Sequence, residues 1–241
     1  MLEACRPTSY IATVQLENIT QRREGRRGYG DACGTAHALE LIGERWALLV
    51  LRELLLGGRR FSDLKADIPG ISANVLTQRL GELEARGLVR RRRLPPPASV
   101  QVYEATEWGL EARTIIRELG RWAARSPQHD PTLPLSAVSI MLSFTAMLDE
   151  ERARDFTGTV AFRFGEEVLV AVVADGRIEV RRGQADEGQA LITGAPTSVA
   201  AVVYGGAPIG LLQVEGDEGL ALRFLSLFTL PPKVETPGGA S

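Results

Sequence analysis

The 241-residue chain has only two cysteines, Cys5 and Cys33, and two histidines, His37 and His129. Their spacing matches no metal-ligand pattern, so no metal site is expected. Two cysteines also make no disulfide framework of the kind that braces small secreted domains. No run of about 18 apolar residues occurs, so no membrane-spanning helix is expected. The opening stretch MLEACRPTSYIATVQLENIT lacks a clean apolar segment with a small-residue cleavage site. The cytoplasm is the expected compartment. Nucleophile motifs and phosphate-cradling glycine loops are missing too, and pairs such as Glu150-Glu151 and Glu166-Glu167 read as solvated surface. No enzyme and no cofactor is expected.

What is there divides by charge. Residues 1–130 carry 20 Lys and Arg against 16 Asp and Glu, a balance of +4; residues 131–241 carry 8 against 14, or −6. A basic first part and an acidic second part suggest units with different partners. An acidic unit is a poor phosphate binder, so nucleic-acid contact is expected in the first part. Hydrophobic residues make up 44%, which suffices for two modest cores.

Residues 1–28 are polar, end in QRREGRRG and read as a disordered arm. ACGTAHALELIGERWALLVLRELLLGG reads as two helices broken at Gly43, the second apolar nearly all round except at Arg52 and Glu53. Such a helix is buried on most sides. A short helix from Phe61 to Asp67 stops at the Pro69-Gly70 turn. Ser72 caps the next helix, which runs to about Arg86 with Leu76, Leu80 and Leu83 on one stripe and Asn74, Thr77, Gln78 and Gly81 opposite. LVRRRRL and VQVYEAT form a hairpin around PPPAS. Thr106 caps a long helix with an apolar stripe at Trp108, Ala112, Ile115, Leu119 and Trp122. SPQHDPTLP is a linker. Beyond it come an apolar helix, three strands with an Asp175-Gly176 hairpin turn, a fourth strand, a helix opened by Pro196, a fifth strand and a helix capped by Asp217.

Two helices at a turn followed by a basic hairpin make a winged helix-turn-helix. A recognition helix needs short polar side chains near its N-terminus to meet base edges in the major groove. Asn74, Thr77 and Gln78 suit that role, and Ser72 can reach a phosphate. Residues 59–93 hold 9 basic against 4 acidic residues. Arg60, Arg79, Arg91 and Arg93 are the candidate phosphate contacts, because phosphate neutralisation supplies much of the affinity. Along a strand Arg91 and Arg93 share one face and Arg90 and Arg92 the other. The alternative is that RRRR is only a charged edge strand that blocks sheet-to-sheet association.

The stretch LIGERWALLVLRELLLGGRRFSDLKADIPGISANVLTQRLGELEARGLV, with VYEATEWG after the wing, resembles the HxlR family of bacterial winged-helix transcription regulators, from about Gly30 to Ser126. The departures are Gly34 after Cys33, where that family usually has proline, and Ala105 before the helix-opening threonine. The resemblance implies a homodimer on a near-palindromic operator in double-stranded DNA, acting as a repressor, with the first helix and the helix after the wing at the dimer interface. Some relatives sense oxidants through a cysteine at the place of Cys33, and a helix N-terminus lowers a thiol pKa.

The second part resembles the sterol-carrier-protein-like fold through its helix-first order, its hairpin strands and LLQVEGDEGLALRFLSLF. The expected class is therefore α+β: a winged helix-turn-helix domain followed by a smaller α+β domain with a mostly antiparallel sheet. The expected boundaries are 1–28 arm, 29–126 DNA-binding and dimerisation domain, 127–133 linker, 134–232 effector domain and 233–241 tail. The resembled fold implies an apolar tunnel, here lined by Met141, Phe144, Tyr204, Leu211, Phe224 and Phe228, for an apolar small-molecule effector. A fully packed domain is the alternative for that half. For the whole chain the alternatives are an apolar-ligand carrier or a thiol-based redox regulator through Cys33.

Overall fold

A computed structural model of the chain describes residues 28–235. The expected arm up to residue 27, Cys5 within it, and the tail from residue 236 lie outside the described residues. The described residues divide into two compact units, 28–44 and 45–235. In the first, α1 (Gly34–Ile42) starts at Cys33 and stops at Gly43, whose N–H donates to the Leu39 carbonyl at 2.8 Å.

The second unit opens with α2 (Ala47–Leu54), α3 (Phe61–Asp67) and α4 (Ala73–Ala85). The stripe read from spacing is real: Leu76, Leu80 and Leu83 are buried against α2. Burial of each such leucine contributes about 1.5–3 kcal/mol. Ser72 caps α4 by accepting from the Val75 N–H at 3.3 Å. Strands β1 (Val89–Arg93) and β2 (Gln101–Ala105) form the antiparallel wing. Arg59 extends it as a third rung, exchanging two 2.8 Å backbone hydrogen bonds with Tyr103. Then α5 (Glu107–Ala124) begins at Thr106, whose hydroxyl accepts from the Gly109 N–H and donates to the Gly87 carbonyl.

Past the linker lie α6 (Ala137–Met147), the short α7 (Glu150–Ala153), β3 (Gly158–Phe164), β4 (Glu167–Ala174), β5 (Arg177–Arg182), β6 (Ala190–Thr193), α8 (Pro196–Gly205), β7 (Gln213–Gly216) and α9 (Glu218–Leu225). The strands lie in the order β5-β4-β3-β6-β7, and every neighbouring pair is antiparallel except β3 with β6. The fold is thus α+β, as the periodicities predict. Asp175 and Gly176 both take left-handed dihedrals (φ 52° and 69°), as the two-residue turn between β4 and β5 requires. Along β4, Leu169, Ala171 and Val173 face the main core, while Val170 joins a small cluster with Ala161 and Leu191 on the other face.

Four of the six residues expected to line a tunnel pack together in the core, and Tyr204 lies partly buried on α8. Met141, Phe144, Phe224 and Phe228 are all buried. Phe144 stacks on Phe228 with ring centroids 4.4 Å apart and meets Phe224 at 5.8 Å, while Phe224 and Phe228 lie 5.1 Å apart. These rings pack between α6, α9 and the sheet. Leu211 is about half exposed, on a 3₁₀ turn. The surplus of apolar surface has another use. Helix α6 is apolar nearly all round because it packs on the sheet with one side and on α2 and α5 with the other.

Polar ties reinforce that packing. Glu53 on α2 is fully buried, and its Oε1 accepts from Ser136 Oγ at 2.8 Å and from Arg52 Nε and Nη2 at 2.9 and 2.7 Å. Ser136 is also the N-cap of α6. Arg59 pairs with Asp67 on α3 and with Glu167 on β4 at 3.0 Å, and Glu167 also pairs with Arg182 at 2.6 Å.

The junction between wing and α5 yields a test. A Cβ at Gly109 would press into the Leu88 carbonyl oxygen, a backbone atom that cannot swing aside. Gly109→Ala should therefore destabilise the chain by about 1–3 kcal/mol, the usual cost of overpacking, despite alanine's better helix propensity. Urea unfolding checks this, and an unchanged or raised midpoint would contradict the packing.

Candidate nucleic-acid interface

The N-terminal half of α4 presents Ser72, Asn74, Thr77 and Gln78 to solvent, while Leu76 and Leu80 anchor the reverse side. Their hydrogen bonds differ. Thr77 Oγ1 donates back to the Ala73 carbonyl at 2.9 Å. The Gln78 amide donates to Glu82 at 3.0 Å. Ser72 Oγ accepts the capping N–H, which leaves its own proton for an acceptor outside. Asn74 has no side-chain hydrogen bond among the described residues, so its amide is free to present both a donor and an acceptor. That combination matches the N6/N7 edge of adenine.

The arginines are more constrained than their number suggests. Cross-strand register places Glu104 opposite Arg90, with Arg92 two residues along on the same face. Both donate to it, each Nε 2.7 Å from a Glu104 oxygen. Burial pushes the Glu104 carboxyl up, but the hydrogen bonds and charges of Arg90 and Arg92 outweigh it and hold the group below the usual carboxylate range. A depressed folded-state pKa means the pair stabilises the wing above the ordinary carboxylate range and is lost only as pH falls through the lowered value. On the opposite face Arg91 lies over the Tyr103 ring at 5.6 Å and pairs with Glu84 at 2.9 Å. Arg60 and Arg93 are exposed and make no ion pair among the described residues. Arg79 differs from the other sequence candidates: it is buried, with Nη1 2.8 Å from Glu82, so it is set apart from the exposed face.

The exposed candidates Ser72, Asn74, Thr77 and Gln78 thus lie together on α4, and Arg91 and Arg93 share a wing face. Glu84 and Glu104, which pair with three of the four wing arginines, were not singled out from sequence. Glu104 was legible in principle, because fixing the hairpin register around PPPAS puts it opposite Arg90. Glu84 was not, since its contact depends on how the wing leans on α4.

In the first unit, Cys33 is exposed and free. Backbone N–H groups of Thr35 and Ala36 at the start of α1 hold its thiol below the ordinary range. Among the described residues no cluster of His, Cys, Asp and Glu could hold a metal ion, and no helix is long and apolar enough to cross a membrane.

Part of the sequence is shared with known proteins. Residues 41–130 match the HxlR-like helix-turn-helix family. The chain is 36% identical over 86 residues to the uncharacterized HTH-type transcriptional regulator YvaP of Bacillus subtilis, covering 36% of this chain and 80% of that one. It is 42% identical over 94 residues to the uncharacterized HTH-type transcriptional regulator YkvN of the same organism, covering 38% and 77%. It is 36% identical over 86 residues to the B. subtilis HTH-type transcriptional regulator YodB, covering 36% and 77%. Residues 131–241 lie outside the family match.

The Glu104 clamp gives a sharp expectation. Glu104→Ala removes one negative charge and frees Arg90 and Arg92. Non-specific duplex affinity should rise, and the slope of log K against log salt should steepen by about one unit for each further phosphate that the freed arginines neutralise. Fluorescence anisotropy titrations across a salt series measure this. An unchanged slope would mean that this face of the wing does not meet DNA.

Proposed function

The chain belongs to the HxlR-like helix-turn-helix family, and from that premise we propose that it is a DNA-binding transcription regulator that acts as a homodimeric repressor on a near-palindromic operator. The observation that carries the reading is the exposed, uncharged polar face of α4 standing beside an arginine wing. Asn74 and Gln78 would read base edges, Ser72 and Thr77 would meet backbone or base, and Arg60, Arg91 and Arg93 would contact phosphate. In this reading residues 29–126 are the DNA-binding and dimerisation domain, 127–133 the linker and 134–232 an effector domain, all acting in the cytoplasm.

Dimerisation is supported by α5. Its stripe at Trp108, Ile115, Leu119 and Trp122 is between 41% and 72% exposed, although these are the apolar residues of an amphipathic helix. A contiguous exposed stripe of large apolar side chains marks an interaction surface. The effector role is supported by the acidic balance of residues 131–241, 8 Lys and Arg against 14 Asp and Glu, which disfavours DNA contact by this half. The helix-first order and the mostly antiparallel sheet are the features on which the sterol-carrier-like resemblance rests.

A second reading concerns Cys33, and the observation that favours it is the lowered thiol pKa at an exposed helix start. Thiolate then exists at a lower pH than in an ordinary cysteine. Reaction with iodoacetamide should reach half its maximal rate at a lower pH than for a cysteine in an unstructured peptide. If oxidant changes the DNA affinity of the wild type and not of Cys33→Ser, the thiol is a sensor; equal behaviour removes that role.

The main reading is tested by substitution. Asn74→Ala or Gln78→Ala should cost about 1–3 kcal/mol on a selected operator and little on random duplex. Arg91→Ala should weaken all duplexes alike and make the salt slope shallower by about one unit. A protein in which none of these changes affinity does not use α4 and the wing to read DNA.

A further inference from the structure

A cleft of about 540 Å³ lies between α2, α5, α6 and α8, outside the filled core of the C-terminal half. Its walls are mostly apolar, with Leu49, Leu119, Leu142 and Ala200 among them, and Ser143 and Tyr204 stand in the wall together. The volume is that of a small-molecule site, and a mostly apolar wall with a few convergent polar groups is how such sites are built.

The hydroxyl pair sets the chemistry of the occupant. Ser143 Oγ donates its one proton to the Ile140 carbonyl at 2.7 Å. Either hydroxyl can donate in the 2.8 Å contact between Ser143 Oγ and Tyr204 Oη; with the serine proton on the Ile140 carbonyl, the tyrosine is the donor. Tyr204 Oη is left with acceptor capacity that no described residue uses. Burial also pushes the Tyr204 phenol up, so it stays neutral. Of the charged groups in the wall, Arg52 is held by Glu53 at 2.7 Å, and Asp130 accepts from the Thr132 hydroxyl and N–H at 2.6 and 2.9 Å. Arg52 is thus already paired and the Asp130 carboxylate would repel an anion, so the charged groups of the wall disfavour an anionic ligand.

We propose that this cleft binds an uncharged apolar molecule carrying one hydrogen-bond donor, a hydroxyl or N–H, that donates to Tyr204 Oη. The inference deepens the effector part of the proposed function and rests on it for its regulatory meaning. The site is contributed by both halves: α2 and α5 form one wall, α6 and α8 the other. A ligand there touches the helix that supports the reading head and the helix that carries the exposed apolar stripe, so its occupancy would bias how two copies present their reading heads.

The test uses the full chain without DNA and two probes of one shape, 2-naphthol and 2-methoxynaphthalene, followed by calorimetry or equilibrium dialysis. Expected is one 2-naphthol per chain, about tenfold tighter than the ether, which is what one net hydrogen bond supplies. Tyr204→Phe should erase that preference while leaving the ether's affinity unchanged. Ser139→Phe, which fills the cleft from α6, should abolish both, with the unfolding midpoint showing that the variant is folded. The proposal is overturned if neither probe binds, if both bind equally to the wild type, or if neither substitution alters binding. Absence of probe binding with loss of self-association in Ser139→Phe would also overturn it, because a helix of a second copy would then fill the cleft. Since no DNA is present, failure here leaves the DNA-binding reading standing, and failure of operator binding leaves this one standing.

Discussion

A carboxylate with no solvent contact stands where the reading half meets the rest of the second unit. Removing one partner of a buried charge leaves that charge unpaired and costs about 3–5 kcal/mol, so such a group persists only where its donors are fixed. Glu53 has three donor contacts on one oxygen, and one comes from Ser136, the cap of α6. The carboxylate therefore sits at the N-terminus of that helix, where the dipole favours negative charge. This arrangement sets where α6 begins relative to α2. Because α6 also carries Phe144 into the sheet core, the position of α2 and the packing of the aromatic cluster are linked through one helix.

The second tie runs through Arg59. It is a wing residue by its backbone and a bridge by its side chain, joining Asp67 of α3 to Glu167 of β4. Wing, turn helix and sheet thus share a single guanidinium. The same logic governs the wing arginines. Most are held in place by carboxylates before any ligand arrives, which orders long side chains that would otherwise lose rotamer freedom on binding. Phosphate has to compete with Glu84 and Glu104 for them, and this tempers a concentrated charge that would bind any polyanion.

Much of the architecture was legible in the sequence because its period is local. The leucine stripe of α4, the caps at Ser72 and Thr106, the Asp175-Gly176 turn and the strand alternation depend on neighbours within a few residues. Local rules could not show where surplus apolar surface goes. Met141, Phe144, Phe224 and Phe228 read equally well as tunnel wall or packed core, and only their three-dimensional neighbours decide that they fill the interior. Glu53 read as an interruption in an apolar helix; its partner lies 83 residues away. Arg79 read as one more cation on a basic segment, but its place on the α4 cylinder turns it inward beside Leu80. The cleft between the halves has no signature in any one segment, since its walls come from four helices that are distant in sequence.

The central claim is that α4 and the wing read a defined sequence in duplex DNA as a symmetric pair. Selection of bound fragments from a random duplex library by the full-length chain, at near-physiological salt, tests it most directly. The account predicts enrichment of an inverted repeat whose half-sites are centred about one helical turn, near 10 base pairs, or a multiple of it, apart. A library that stays unenriched, or enriches a single unpaired site or a base composition alone, would contradict it.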